Sequence, residues 1–112
     1  MEINTADVVL CEFYFSDLKT SKKRPVLVLK DNLPYDDFVG IPISSQIDQL
    51  HPDEHEIDNS AFSHGGIPKK SKLILRKPFV ISKTAIVKKY GTLNETAFKK
   101  YHSLFCQFFH CL

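Results

Sequence analysis

Asp7-Val8-Val9-Leu10-Cys11-Glu12-Phe13-Tyr14-Phe15, the polar run Ser16 to Lys23, and then Arg24-Pro25-Val26-Leu27-Val28-Leu29-Lys30 read as strand, exposed loop and strand. The first run is rich in Val, Phe and Tyr and partly alternates, which suits a pleated, half-buried surface. The second opens on Pro25, which has no N–H for a ladder and so belongs at a strand start or an edge. Working outward, Asn32–Asp37 is expected to turn, and Phe38–Ile43 to form a third strand bent by Gly40 and Pro42. Ser44 to Gly66 is polar and irregular, with a short strand at His55–Ile57. Ser71–Leu75, Phe79–Ile81 and Ile86–Lys89 are further short strands, the last ending at a turn at Gly91.

The only helix expected is at the tail. Asn94 is a suitable N-cap, and Leu93 before it can staple onto Phe98. Phe98, Tyr101, Phe105 and Phe108, with Ala97 and Leu104, recur at three- and four-residue spacing and form one apolar face. Many short strands followed by one terminal helix predict a small, strongly bent β-barrel rather than a parallel α/β sheet. At 112 residues the chain is expected to be a single domain, 1–112.

Composition narrows the class. Hydrophobic residues are 43% and charged residues 25%, which is ordinary for a globular chain. No apolar run approaches the ~20 residues of a spanning helix, and Met1-Glu2-Ile3-Asn4 lacks a signal-peptide pattern. An odd count of three cysteines without paired spacing points to reduced thiols and a cytoplasmic protein.

The net charge of +2 hides an asymmetry. Residues 1–58 carry five Lys/Arg against twelve acids, a net of −7, and residues 59–112 carry ten against one, a net of +9. Either the basic half serves an anionic partner such as nucleic acid, or the halves neutralise each other on folding.

Two clusters imitate metal sites. His51-Pro52-Asp53-Glu54-His55-Glu56 has the wrong order for a helical zinc motif and reads as a solvated acidic loop. His102, Cys106 and His110 span two helical turns, too far for one ion, and read as packing residues. No metal ligand and no cofactor are expected. Phe79 and Tyr90 lie among the later lysines, where an aromatic ring can stack on an unpaired base; Phe79 is read here as core.

The stretch Phe13-Tyr14-Phe15-Ser16-Asp17-Leu18, a loop, then Lys22-Lys23-Arg24-Pro25-Val26-Leu27-Val28-Leu29 resembles the opening of MazF/PemK-like toxins of bacterial toxin–antitoxin systems. That opening reads approximately G-D-I-V-L-V-x-F-P-F-T-D-L, a loop, then K-x-R-P-x-L-V-L, with Ala6 here in place of the glycine. Ile43-Ser44-Ser45-Gln46-Ile47 resembles the family's I-T-S/A-Q-I segment. Gly66 with Pro68-Lys69-Lys70-Ser71 resembles its G-L-K-K-P-S segment, and Gly91-Thr92-Leu93-Asn94 its G-x-L-S cap.

The resemblance implies a mainly β fold, an SH3-like small barrel of the MazF/PemK/CcdB type with a C-terminal helix, working as a homodimer. It implies a metal-independent endoribonuclease acting on single-stranded RNA and neutralised by a cognate antitoxin. The ribose 2′-OH attacks the adjacent phosphate, which requires a proton acceptor, a donor to the leaving 5′ oxygen, and positive charge at the phosphate. Arg24 is the candidate for that charge, since its planar fork matches phosphate oxygens; the alternative is a surface arginine paired with Asp17 or Glu12. Ser44 stands at the family's functional threonine, with Lys22, Lys23, Ser45, Gln46 and Arg76 as candidate RNA contacts. One branch of the family carries an R-x-D pair where Ile74 and Arg76 stand here. That departure leaves the general base open between Asp17 and His64, and keeps a second reading alive, a protein that binds RNA or a protein partner without cleaving. CcdB-like relatives of this fold poison DNA gyrase, and no residue pattern here points that way.

Overall fold

The computed structural model describes residues 2–14, 17 and 19–111; of the opening motif, Phe15, Ser16 and Leu18 lie outside the described residues. The elements run β1 (Asp7–Tyr14), β2 (Ser21–Leu33), β3 (Asp37–Ser44), β4 (Glu54–Ile57), β5 (Phe62–Gly65), β6 (Ser71–Ile74), β7 (Phe79–Ser82), β8 (Ile86–Leu93) and α1 (Glu95–Phe109). The strands pair antiparallel in the order β4-β6-β3-β2-β1-β8-β5, with β7 on β3. The result is a curled half-barrel with one C-terminal helix, a mainly β fold as the strand pattern predicts.

Alternation gives the sheet two buried faces. Val8, Leu27, Ile41, Ile43 and Leu73 build one cluster, closed by Ala97, Phe98, Tyr101, Leu104 and Phe105 of α1. Val9, Cys11, Val26, Val28 and Phe38 build the other, flanked by Ile3, Phe13, Phe79 and Ile81. The β1–β2 register places Val9 opposite Val26, Cys11 opposite Arg24 and Phe13 opposite Lys22, so Lys22 and Arg24 share the face of the second cluster.

The helix begins as its cap predicts: the Asn94 side chain accepts from the Ala97 N–H at 2.7 Å. Leu93 and Phe98 meet in the first core cluster. The Tyr101 hydroxyl donates to the Glu56 carbonyl at 2.7 Å and ties α1 to β4. The apolar face stops short of its expected end, because Phe108 is 45% exposed.

Four expectations change. The strand after Arg24 starts earlier and ends later, and the chain reverses only at Pro34–Asp36, where Tyr35 and Asp36 both take positive φ. Phe62–Gly65, read as irregular, is β5 on β8; one apolar residue in four gives no alternation to see. Gly91 is no turn but a strand residue between Val8 and Gly65, where a Cβ would run into the His64 carbonyl. His51–Glu56 is no solvated loop. Glu54 opens β4, and Asp53 and Glu54 are buried because cations of the other half reach them.

Lys72 Nζ lies 2.8 Å from Glu54 Oε1, and Arg76 Nη1 lies 2.9 Å from Glu54 Oε2 and 3.0 Å from Asp53. Lys70–Glu56, Lys83–Asp31 and Lys89–Asp7 also join the halves. The charge asymmetry of the sequence is therefore largely spent inside the fold. Lys72 also donates to the Gln49 carbonyl at 3.1 Å, which fastens the segment after β3 to β6.

The Lys72 hydrogen bond, above all, holds the Glu54 carboxyl at about 2 against an ordinary 4.5. A depressed folded pKa stabilises at neutral pH and loses that contribution as pH falls through it. Stability should therefore drop between about pH 4.5 and 2. Glu54→Gln should start about 2–4 kcal/mol lower, because buried cations lose their counter-charge, and should fall less across that window. Urea unfolding at a series of pH values measures both.

Candidate anion-binding cleft

A proline ends the ladder between the central strands. The last β2–β3 pair is Val26 opposite Pro42. Beyond it Pro25 offers β3 no N–H, and β3 leaves β2 for β6, with Ile43 opposite Leu73 and Ser44 opposite Lys72. The strands part around a cleft of about 200 Å³, with Lys22–Pro25 on one wall and Ile43–Gln46 on the other. Six of the sequence candidates, Lys22, Lys23, Arg24, Ser44, Ser45 and Gln46, are thereby brought together from opposite sides of two loops.

Arg24 is half-buried and, among the described residues, makes no ion pair. Both acids weighed as its partners are engaged elsewhere. Glu12 accepts from the Ser21 hydroxyl at 2.8 Å. Asp17 accepts from the Lys19 N–H at 2.9 Å and from the Thr20 N–H and hydroxyl at 3.2 Å. The Ser44 hydroxyl oxygen accepts from the Gln46 N–H at 3.2 Å, which fixes the turn after β3 and leaves the hydroxyl hydrogen to donate. Cys11, opposite Arg24, is buried, and burial pushes its thiol up to about 12; it stays protonated and supplies no nucleophile.

Three candidates lie apart from this cleft. Asp17 closes its own turn, and the Lys19 and Thr20 backbone bonds lower its pKa, which weakens it as a proton acceptor. His64 sits on β5 opposite Thr92, its Nδ1 3.1 Å from the Ser63 hydroxyl. Arg76 is bound to Asp53 and Glu54 and lines a separate recess with His51. Among the described residues that line the cleft, none carries a carboxylate or imidazole side chain. The arrangement can therefore grip an anion with a fork, two ammonium groups and hydroxyl donors.

Sequence reasoning missed what surrounds the cleft. Pro25 and Ser45 continue into a second recess of about 250 Å³ bordered by Pro68, Lys69, Ser71 and Tyr90. On the other side of Arg24, Phe79 stands at a surface recess instead of lying sealed in the core. Only the tertiary pairing of β7 with β3 brings Phe79 to this place, opposite Gly40.

Structural comparison finds the same fold in mycobacterial proteins. An endoribonuclease in complex with its cognate antitoxin, from a Mycobacterial species, superposes with a TM-score of 0.75 at 11% identity, over 99% of this chain and 98% of that one. A second mycobacterial endoribonuclease gives 0.69 at 12% identity, covering 95% and 89%. The Mycobacterium tuberculosis toxin MazF-mt6 gives 0.65 at 16% identity, covering 91% and 96%. A search of curated proteins by sequence finds no match. A model of the PemK-like, MazF-like toxins of type II toxin–antitoxin systems matches residues 4–109. Matched over nearly its whole length, and with Lys22–Pro25 of its opening folded into one wall of a basic cleft, the chain belongs to the PemK-like, MazF-like toxin family of type II toxin–antitoxin systems.

Proposed function

We propose that this chain is a metal-independent endoribonuclease toxin that cuts single-stranded RNA by attack of a ribose 2′-OH on the adjacent phosphate. The observation that carries this reading is the meeting of Arg24, without an ion partner among the described residues, with Lys22, Lys23 and the Ser44 hydroxyl across one cleft. In the proposed step the 2′-OH gives up its proton and its oxygen bonds phosphorus, the bond to the 5′ oxygen breaks, that oxygen takes a proton from water, and a cyclic phosphate and a 5′-OH remain. Arg24 holds the non-bridging oxygens as charge accumulates on them, and the Ser44 hydroxyl donates to the same phosphate. Ser45 and Gln46 contact the flanking nucleotides. The proton acceptor comes from beyond the cleft lining, with Asp17 and His64 the groups to test.

One of the mycobacterial endoribonucleases of the same fold is in complex with its cognate antitoxin. By analogy, a cognate antitoxin is proposed to cover this cleft, with a homodimer in the cytoplasm as the working unit. Among the described residues no helix is long and apolar enough to cross a membrane. A second reading, RNA binding without cleavage, is favoured by one observation: the described residues of the cleft lining carry no carboxylate or imidazole.

Incubation of the purified protein with long single-stranded RNA in EDTA separates the two readings. Cleavage that leaves cyclic phosphate ends supports the nuclease, and RNA bound but intact supports the second. Arg24→Ala should lower kcat by about 10²–10³ through lost charge stabilisation, and Ser44→Ala roughly tenfold through one lost hydrogen bond.

Binding to a 2′-O-methyl RNA that cannot react should weaken steeply with salt. Lys22→Gln and Lys23→Gln should each reduce the slope of log K against log salt by about 0.7, the value for one phosphate contact on a single strand. Fluorescence anisotropy titrations over a salt series read this slope.

A further inference from the structure

Arg24 stands on a ridge between two recesses. On one side is the anion-binding cleft. On the other, Phe13, Val26, Pro42 and Phe79 line a recess of about 300 Å³ whose rim carries Lys22 and Arg24. The alternation of β2 dictates this. Lys22, Arg24 and Val26 project to the face of Phe13, since Phe13 pairs with Lys22 and Val9 with Val26. Phe79 arrives on β7, which pairs with β3 and sets Phe79 opposite Gly40. The Phe13 and Phe79 rings meet edge to face, with centroids 5.6 Å apart and planes at 62°. Val26 forms a fully buried floor. This volume is at the small end for a ligand pocket, enough for one planar ring system and little more.

We propose that this recess is a nucleobase slot, which takes the base of a nucleotide next to the phosphate held by Arg24. The proposal rests on the RNA-cleaving reading and names a specificity-determining part of it. The occupant follows from the chemistry of the rim and walls. The walls are apolar and aromatic, and the two cations at the mouth are the same ones that line the anion cleft. A single-stranded nucleotide joins a flat, apolar base to an anion within that reach, and unpaired bases stack readily on aromatic side chains. The slot grips through stacking, with Phe79 as the platform and Phe13 bracing its edge.

The test uses single-stranded RNA substrates in which each nucleotide around the mapped cut is replaced in turn by an abasic one. With wild-type protein, one flanking position should stand out, with KM raised about 10–100-fold, the loss of one base stack, and kcat little changed. Phe79→Leu should raise KM similarly for the full substrate and should no longer distinguish the abasic one. Arg24→Ala should show the opposite split, with kcat falling most. Thermal unfolding checks that Phe79→Leu is folded. Quenching of 2-aminopurine placed at the same position in a 2′-O-methyl RNA tests the slot on the wild-type protein alone. Wild-type KM and an unchanged abasic profile in Phe79→Leu, or no 2-aminopurine quenching, would overturn the slot while leaving the nuclease reading intact. RNA neither cut nor bound by the wild type would overturn both. A Phe79→Leu effect confined to antitoxin affinity, or to the monomer–dimer equilibrium in sedimentation, would assign the recess to a protein contact and also overturn the proposal.

Discussion

The site depends on where β2 and β3 stop pairing. A continuous ladder would bring the backbones of Lys22–Pro25 and Ile43–Gln46 within hydrogen-bonding distance and leave no space between them. Pro25 prevents this, because it has no N–H to donate at the point where the pair would continue, opposite Ile43. β3 then satisfies its backbone on β6. The cleft is the gap that remains, and its walls are rigid because each belongs to a strand still paired on its other side.

The charges follow the same geometry. In the basic half, Lys70, Lys72, Arg76, Lys83 and Lys89 all pair with acids of the first half, while Lys88 lies over the Tyr90 ring. The cations that face the cleft are instead three consecutive residues of the acidic half, Lys22, Lys23 and Arg24. A net charge per half therefore misleads about where an anion binds. What matters is which cations the fold leaves without a carboxylate, and that is decided strand by strand.

Much of this was legible in residues 7–30, because alternation is a local signal, although Pro25 lies inside β2, which starts at Ser21, and not at a strand start. The cap of α1 was equally legible, since Asn94, Leu93 and Phe98 act within one turn. What escaped is non-local. β5 has little apolar content and exists because β8 has an edge to fill. Gly91 reads as a turn residue, yet it is glycine because the His64 backbone passes too close for a Cβ. Asp53 and Glu54 look solvated until Lys72 and Arg76 arrive from nearly twenty positions or more away in the chain. Phe79 looks like core until β7 is seen to lie along β3 at the open end of the sheet. Six of the nine candidate site residues share one cleft, and all six come from the two segments that carry the resemblance; Asp17 and His64, chosen for their chemistry, and Arg76, placed by alignment with the R-x-D pair, lie elsewhere.

The replacement of the R-x-D pair by Ile74 and Arg76 takes on a definite meaning in this fold. The carboxylate missing at Arg76, just beyond β6, is not simply lost, because β4 pairs with β6 and brings Asp53 and Glu54 to Arg76. Glu54 is a poor base near neutrality, since Lys72 and its other donors hold its carboxyl at about 2. Its work is mechanical. Lys72, fixed by Glu54, holds the Gln49 carbonyl and with it the segment that leaves Ser44. The strand that in one branch of the family carries an acid–base pair here braces the wall of the cleft. The braced wall is the one that carries the Ser44 hydroxyl, and it shares the cleft with Arg24 on β2.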